Sequence, residues 1–409
     1  MVDDLSRRKF LLRATALGCS AAASPVLTPM TFAQAPGDNR LVVIILRGAM
    51  DGLDAVRPIG DPLLRRYRAG LGMSRDSGAT DLDGFFALHP ALAELMPLWK
   101  QGDLAAAHAV STPYRDKRSH FDGQDLLEAG TGQDIDGAGV RDGWLNRLLQ
   151  VMPNAGSETA FAIGRSDMKL VSGKAPVSSW SPDGRLDMSP QARLLLEEIY
   201  HDDALFHDTS MDAITIAESL GMASDDSFGM SSRDMRAALK SAREAGDASV
   251  LARFAARRLN EESRIAAFSL GGWDTHRGQT RGITRALGGL KDAVLTLKSE
   301  LGPRWDHTAV VAVTEFGRTA RENGTRGTDH GTGGAMIMAG GAIRGGRVYG
   351  DWPGLDEAAL YARRDLMPTT DVRSYIAWLM HGMYGVEAST LETLVFPGLQ
   401  LGRDPGLLA

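Results

Sequence analysis

The run Ile265-Ala266-Ala267-Phe268-Ser269-Leu270 passes without interruption into Gly271-Gly272-Trp273-Asp274-Thr275-His276. A short, continuously apolar stretch closed by glycines has the length and composition of a strand buried on both faces. A helical pattern follows, because Ile283, Leu287, Leu290, Val294, Leu297 and Leu301 share one face, and Gly302-Pro303 stops it. A second buried-strand pattern, Thr308-Ala309-Val310-Val311-Ala312-Val313-Thr314, runs straight into Glu315-Phe316-Gly317-Arg318-Thr319. A glycine-rich loop then carries Asp329-His330-Gly331 into a third apolar run, Ala335-Met336-Ile337-Met338-Ala339. Continuous apolar strands with a helix between them predict parallel β/α/β winding, so the fold class is α/β.

In parallel sheets, ligands gather beyond the carboxyl ends of the strands. Asp274, His276 and Glu315 fall there, and Asp329 and His330 lie in the next loop, able to return to the same edge. Each of these alone reads as an ordinary polar loop residue. Carboxylates and imidazoles at one strand end after another instead match what a divalent metal requires. Mixed nitrogen and oxygen donors suit zinc or manganese better than magnesium or calcium, which prefer oxygen.

Outward from this stretch, Leu41-Val42-Val43-Ile44-Ile45-Leu46 reads as the first buried strand, and Arg47-Gly48-Ala49-Met50-Asp51-Gly52-Leu53-Asp54 again places carboxylates at a strand end. His89-Pro90 opens a helix bearing Leu92, Leu95, Met96 and Leu98, and Leu104 to Val110 is the next strand. Beyond it stand Ser111-Thr112-Pro113-Tyr114-Arg115 and Arg118-Ser119-His120-Phe121-Asp122. Ser119 with an acid three residues later reads as a helix N-cap, and a helix N-terminus also favours a bound anion. Further elements are expected as a strand over 159–163 and helices over 190–200, over 248–260 and from Asp371 through Met380. His381, in the last of these, reads as packing. Lys169, Trp180 and Arg193 are placed to face a substrate, though nothing separates them from surface residues.

The amino terminus reads as a targeting segment. Ser6-Arg7-Arg8-Lys9-Phe10-Leu11-Leu12 carries twin arginines ahead of an alanine-rich stretch, and Phe32-Ala33-Gln34-Ala35 ends in a small-x-small cleavage pattern. This predicts export over residues 1–35 by the twin-arginine translocation machinery and a periplasmic or secreted protein. The only cysteine, Cys19, lies in that segment, so disulfides and thiolate ligands are excluded afterwards. Removing the segment takes 45 basic and 51 acidic residues to 41 and 49, a formal balance of −8. A mildly acidic chain disfavours a nucleic-acid partner, and no later apolar run is long enough to span a bilayer.

The motifs LRGAMDGLD (46–54), RSHFDGQD (118–125), GGWDTH (271–276), VVAVTEFGRT (310–319) and TDHGTGG (328–334), with PTTD (368–371) and VFPG (395–398), together resemble the exported "domain of unknown function 1501" family. That family is grouped with the alkaline phosphatase and sulfatase superfamily and has no settled reaction. The resemblance covers nearly all of 36–409. It implies one domain, an alkaline-phosphatase-like three-layer sandwich with a mostly parallel central sheet flanked by helices and metal ions at the strand ends.

Carried over by residue, Asp51 resembles the acid that binds one metal beside the nucleophile. Asp274 and His276 resemble the Asp and His pair of the other metal, at closer spacing than usual. Glu315 occupies the place of an Asp-His dyad whose His is replaced by Phe316, and His330, beside Asp329, resembles the last His ligand. His120 substitutes for the missing imidazole if its loop folds inward. Ser119 is the nucleophile in this reading, with Arg47 or Arg318 clamping ester oxygens. The alternative is Ser111, because Ser111 to Arg115 satisfies a Ser-x-Pro-x-Arg pattern like that of serine-type sulfatases. The function implied is an exported metal-dependent hydrolase of phosphate or related sulfate esters, on a small-molecule or polymer substrate. The rival is a non-catalytic exported protein that binds a metal or a partner.

Overall fold

Runs of β-branched and apolar residues too short for helices become the strands of one sheet. They are β1 (Arg40–Leu46), β2 (Leu104–Ser111), β3 (Ala160–Ile163), β4 (Ser178–Trp180), β5 (Ile265–Leu270), β6 (Thr308–Val313), β7 (Gly334–Ala339), β8 (Arg347–Tyr349) and β9 (Thr370–Asp371). The structure, a computed structural model, describes residues 37–73, 78–115, 118–132, 142–152, 155, 159–163, 168–180 and 248–409. The expected leader over 1–35, the expected helix over 190–200 and Arg193 lie outside these residues.

The strand order is β8-β2-β7-β6-β1-β5-β3-β4, with β9 also paired to β2. β1 is central and parallel to both β5 and β6, in the registers Leu41↔Ile265 and Leu41↔Ala309. The β5-helix-β6 unit is therefore wound as expected. The third apolar run, β7, is antiparallel to both β6 and β2. The reason is its connection: residues 314–333 contain no helix to carry the chain back across the sheet, so it returns as a long hairpin. The reversal places the start of β7 at the edge where the parallel strands end, which delivers Asp329 and His330 to that edge.

All seven residues of β1 are buried. Leu41, Val43 and Ile45 join one core, which includes Leu145, Leu148 and Leu149 of α1 (Trp144–Val151) and Ile376, Leu379 and Met380 of α2 (Val372–Tyr384). Val42, Ile44 and Leu46 join the other, against Ala252 and Ala255 of the helix Ala248–Asn260 and Ile283, Leu287, Leu290 and Val294 of the helix Gln279–Leu301. Helices on both faces of a mostly parallel sheet make the three layers expected. Two-sided burial of β1's six apolar side chains contributes on the order of 10 kcal/mol as an upper bound.

The helix expected to open at His89-Pro90 begins as a 3-10 turn, Pro90–Leu95, capped by His89 Nδ1 accepting from Ala91 N at 3.0 Å. It continues as α-helix over Met96–Gln101, and Gly102 ends it in the left-handed region at φ 87°. His381 packs as expected, edge-on to Trp378 with Nδ1 2.8 Å from the Val386 carbonyl. Among the described residues no helix is long and apolar enough to cross a membrane.

Two histidines outside the strand-end loops couple the fold to pH. His108 sits inside β2, where Nε2–H donates to the Val56 carbonyl at 2.9 Å and Nδ1 accepts from Ala109 N at 2.9 Å. Burial pushes both His108 and His89 down to about 4. The folded protein keeps these rings neutral while the unfolded chain protonates them below about pH 6.5, so stability is complete above that pH and is lost as pH falls toward 4. For His108 the loss is on the order of 3 kcal/mol. Denaturant midpoints from pH 7 to 4 should fall less steeply for His108→Gln than for the wild type; parallel profiles would contradict this assignment.

Candidate metal centre

Four segments meet at the carboxyl edge of the sheet: the turn after β1, the loop after β5, the loop between β6 and β7, and the start of α3 (His120–Ala129). Close approach is what makes Gly48 necessary. It sits at φ 120°, and a Cβ there would come within 2.7 Å of Asp274 N. Ser119 caps α3 as expected, its hydroxyl accepting from Asp122 N at 3.4 Å, while its own amide donates to the Tyr114 hydroxyl at 2.7 Å.

At this edge His120, Asp274 and His330 offer ligand atoms that all lie within 4.8 Å of one another. His276 joins them, with Nε2 2.9 Å from His330 Nε2 and 3.1 Å from Asp274 Oδ1. Each imidazole is held by its other nitrogen. His120 Nδ1 faces Glu315 Oε1 at 2.8 Å, His276 Nδ1 faces Asp329 Oδ1 at 3.2 Å, and His330 Nδ1 faces the Arg118 carbonyl at 2.9 Å. These partners are acceptors, so each Nδ1 carries a proton and, in the neutral ring, each Nε2 presents a lone pair. Lone pairs at 2.9 Å repel unless a cation lies between them. His120 Nε2 is the telling atom: it is buried, has no hydrogen-bond partner, and lies 3.7 Å from Asp274 Oδ2. A tetrahedron with bonds near 2.0–2.1 Å has edges of roughly 3.3 Å. His276–His330, His276–Asp274 Oδ1 and His330–Asp274 Oδ1 stand at 2.9, 3.1 and 3.7 Å, near that edge, and His120 faces the other Asp274 oxygen at 3.7 Å.

Electrostatics support ionised carboxylates at Asp274 and Asp329 beside a neutral His330. Burial raises the Asp274 carboxyl, but the hydrogen bond and charge of Arg318 outweigh it and hold it below the usual range. Asp329 is lowered chiefly by its hydrogen bond from Asn323. Burial pushes His330 down, toward the neutral form that binds metal. Asp274 and His276 are 49% and 40% exposed, against 24% for His120, which leaves one side of the cluster open to an incoming group. Phe316, where an imidazole was expected, forms the floor, with ring centroids 5.2 Å from His120 and 5.1 Å from His330.

The other expected residues take supporting positions. Glu315, read as a ligand, is fully buried and stands behind His120. Its Oε1 accepts from Gly48 N, Ala49 N, Gln124 Nε2 and His120, and its Oε2 from Thr314 Oγ1. Burial raises its carboxyl, but the His120 bond and these donors outweigh that and hold it below its ordinary value. Asp329 likewise stands behind His276.

Asp51 lies outside the cluster, because its Oδ2 takes Arg68 and Gln279, each at 2.7 Å, and its Oδ1 caps Leu53 N. Arg318 is buried and spends its donors on the carbonyls of Ala49, Thr328, Gly48 and Trp273 and on Asp274 Oδ1 at 2.7 Å. Arg47 is drawn to α3 by Gln124 and Glu128.

The Ser111 hydroxyl donates to the Thr112 carbonyl, in a separate cleft with Arg115, Thr370 and Arg373. Lys169 pairs with Asp125, and nothing is described of the Trp180 side chain.

Sequence reading missed Gln279. Its amide donates to Asp51 Oδ2 and Asp54 Oδ2, and its carbonyl accepts from Thr275, between Asp274 and His276, and from Thr328, beside Asp329. A signal was available, since Gln279 continues the apolar stripe of Ile283 and Leu287 by one turn, and a polar group there must be buried. Truncating a buried hub strands its donors, whereas Asp329 is 51% exposed and can be replaced by water. Glu315→Ala should therefore cost about 3 kcal/mol or more in denaturant unfolding, and Asp329→Ala within about 1 kcal/mol. Equal costs would contradict the hub role.

No curated protein matches the sequence. Among solved structures, the lipoteichoic acid synthase LtaP from Listeria monocytogenes is similar at 11% identity and TM-score 0.31, the match covering 74% of this chain and 62% of that one. This chain thus spans less than two thirds of that protein. The C-terminal periplasmic domain of EcEptC from Escherichia coli, in complex with Zn, is similar at 10% identity and TM-score 0.39, over 91% of this chain and 93% of that one. The alkaline phosphatase from the Antarctic bacterium TAB5 is similar at 10% identity and TM-score 0.33, over 74% and 91%. A family model described as "Protein of unknown function (DUF1501)" matches residues 80–378, most of the chain, and the protein belongs to that family.

Proposed function

We propose that His120, Asp274, His276 and His330 hold a divalent metal, zinc or manganese, and that this site hydrolyses phosphate or related sulfate esters after export by the twin-arginine route. The observation that carries the metal is the buried, unpartnered His120 Nε2 among imidazoles whose Nδ1 protons are already committed. A bound metal would supply Lewis acidity toward an ester oxygen and offset developing charge. The chain's own groups do the rest. Glu315, Asp329 and the Arg118 carbonyl fix the ring tautomers, and Arg318 keeps Asp274 ionised and aimed. Ser119 adjoins His120 at the N-terminus of α3, where the first-turn amides favour an anionic ester. Its hydroxyl makes only a long cap contact and is the nucleophile of this reading.

The rival, metal binding without hydrolysis, is favoured by one observation: Arg318 and Arg47, expected to clamp ester oxygens, are bonded elsewhere.

Protein exported natively should carry about one zinc or manganese per chain, and Asp274→Ala and His330→Ala should lose it while staying folded. Unchanged metal content in both variants would remove the site. Turnover of p-nitrophenyl phosphate or sulfate by the loaded wild type separates hydrolase from binder. Ser119→Ala should abolish that turnover with metal retained and cost about 0.5–2 kcal/mol of stability. Ser119→Asp should restore the stability alone. Export is tested by Arg7→Lys with Arg8→Lys: that variant should stay in the cytoplasm, and normal periplasmic accumulation would sink the localisation.

A further inference from the structure

Four arginines lie on the segments that build the cluster and its supports. Arg118, Arg277, Arg281 and Arg326 are all exposed, and among the described residues none of the four has a carboxylate or other side-chain partner. Arg118 and Arg277 adjoin cluster residues directly, and Arg281 and Arg326 lie at the start of the following helix and in the loop bonded to it. The Arg118 carbonyl accepts from His330 Nδ1 at 2.9 Å, and Arg277 follows His276. The Arg326 carbonyl accepts from Gln279 N at 2.8 Å, and Arg281 N donates to the Gly278 carbonyl at 3.3 Å in the first turn of that helix. Of the acids flanking the cluster, Asp274 and Asp329 are engaged with Arg318 and His276, which leaves Asp122 as the exposed uncommitted one. This local excess of positive charge stands on a chain of net charge −6.

Two of the four sit in backbone that disfavours them. Arg118 and Arg326 have φ of 54° and 55°, in the left-handed region that glycine or asparagine adopts more readily. Glycine or asparagine would make these turns at lower cost, so the turns themselves do not call for arginine.

We propose that this rim binds a polyanionic chain, a polymer bearing several sulfate or phosphate ester groups, and holds one of those groups at the cluster. The choice of an ester polymer rests on the hydrolase reading above; the rim's selection for polyanions does not. Guanidinium groups grip phosphate and sulfate oxygens in pairs, and a local excess of positive charge raises the local concentration of an anionic ligand. A small monoester has no groups to occupy four arginines spread over three segments, whereas a chain with repeated charges does.

The test uses the full-length protein and dextran sulfate, with uncharged dextran as control, at about 50 and 200 mM salt. The rim variant carries Arg118→Asn, Arg326→Asn, Arg277→Gln and Arg281→Gln. Asparagine relieves the left-handed backbone, so this variant should unfold no earlier than the wild type and retain its metal. Its affinity for dextran sulfate should fall by about tenfold or more, and its salt slope by up to about three, at roughly 0.7–0.9 per lost contact. A matched variant at the opposite sheet edge, with Lys100, Arg304, Arg347 and Arg403 changed to Gln, should keep both. Asp274→Ala should lose metal yet keep the polymer, so failure of the metal reading is distinguished from failure of the rim. Wild-type affinity in the rim variant, equal losses in the two variants, or equal binding of uncharged dextran would overturn the proposal.

Discussion

The structure turns on one buried carboxylate. A negative charge removed from water is tolerable only when donors surround it. Glu315 meets that demand by collecting the amides of Gly48 and Ala49, the Gln124 side chain, the His120 ring and the Thr314 hydroxyl. Those partners come from the turn after β1, from α3 and from the end of β6. Satisfying one charge therefore fixes three elements relative to each other, and it aims His120 Nε2 at Asp274 as a by-product. The geometry of the candidate metal site is a consequence of how the fold solvates its own interior.

A second buried network does the same for the other loops of the cluster. Asp51 and Asp54 share the Gln279 amide, Asp51 is paired with Arg68 at 2.7 Å, and the Gln279 carbonyl draws in Thr275 and Thr328. Because Thr275 lies between Asp274 and His276 and Thr328 precedes Asp329 and His330, the loops after β5 and before β7 are tied to the turn after β1. Arg318 closes the set by bonding four backbone carbonyls and Asp274 at once. Rigid support of this kind lets a site stand on loops without losing precision.

What sequence could reveal follows from which properties are local. β1, β5 and β6 were legible because strands buried on both faces must be continuously apolar, and the long helix was legible because its stripe repeats. The direction of β7 was not, since Ala335 to Ala339 reads the same whichever way the strand runs; only the missing crossover helix bears on it. Residue types at the strand ends single out this edge, yet they do not give roles. Glu315 and Asp329 were read as ligands because a carboxylate's depth and its competing donors are tertiary facts. Asp51 was read the same way, and its partner Arg68 carries no motif. His120 depended on whether its loop turned inward, and the left-handed Arg118 with its carbonyl on His330 is what brings the two rings together.

The central claim is that three imidazoles keep their protons on Nδ1 and turn bare Nε2 atoms toward one cation. Long-range proton–nitrogen NMR of the histidine rings in the zinc-loaded protein reads this directly. The account predicts Nδ1–H with unprotonated, zinc-shifted Nε2 for His120, His276 and His330, while His108 keeps Nε2–H. A proton on Nε2 of any of the three, or rings unchanged by zinc, would contradict it.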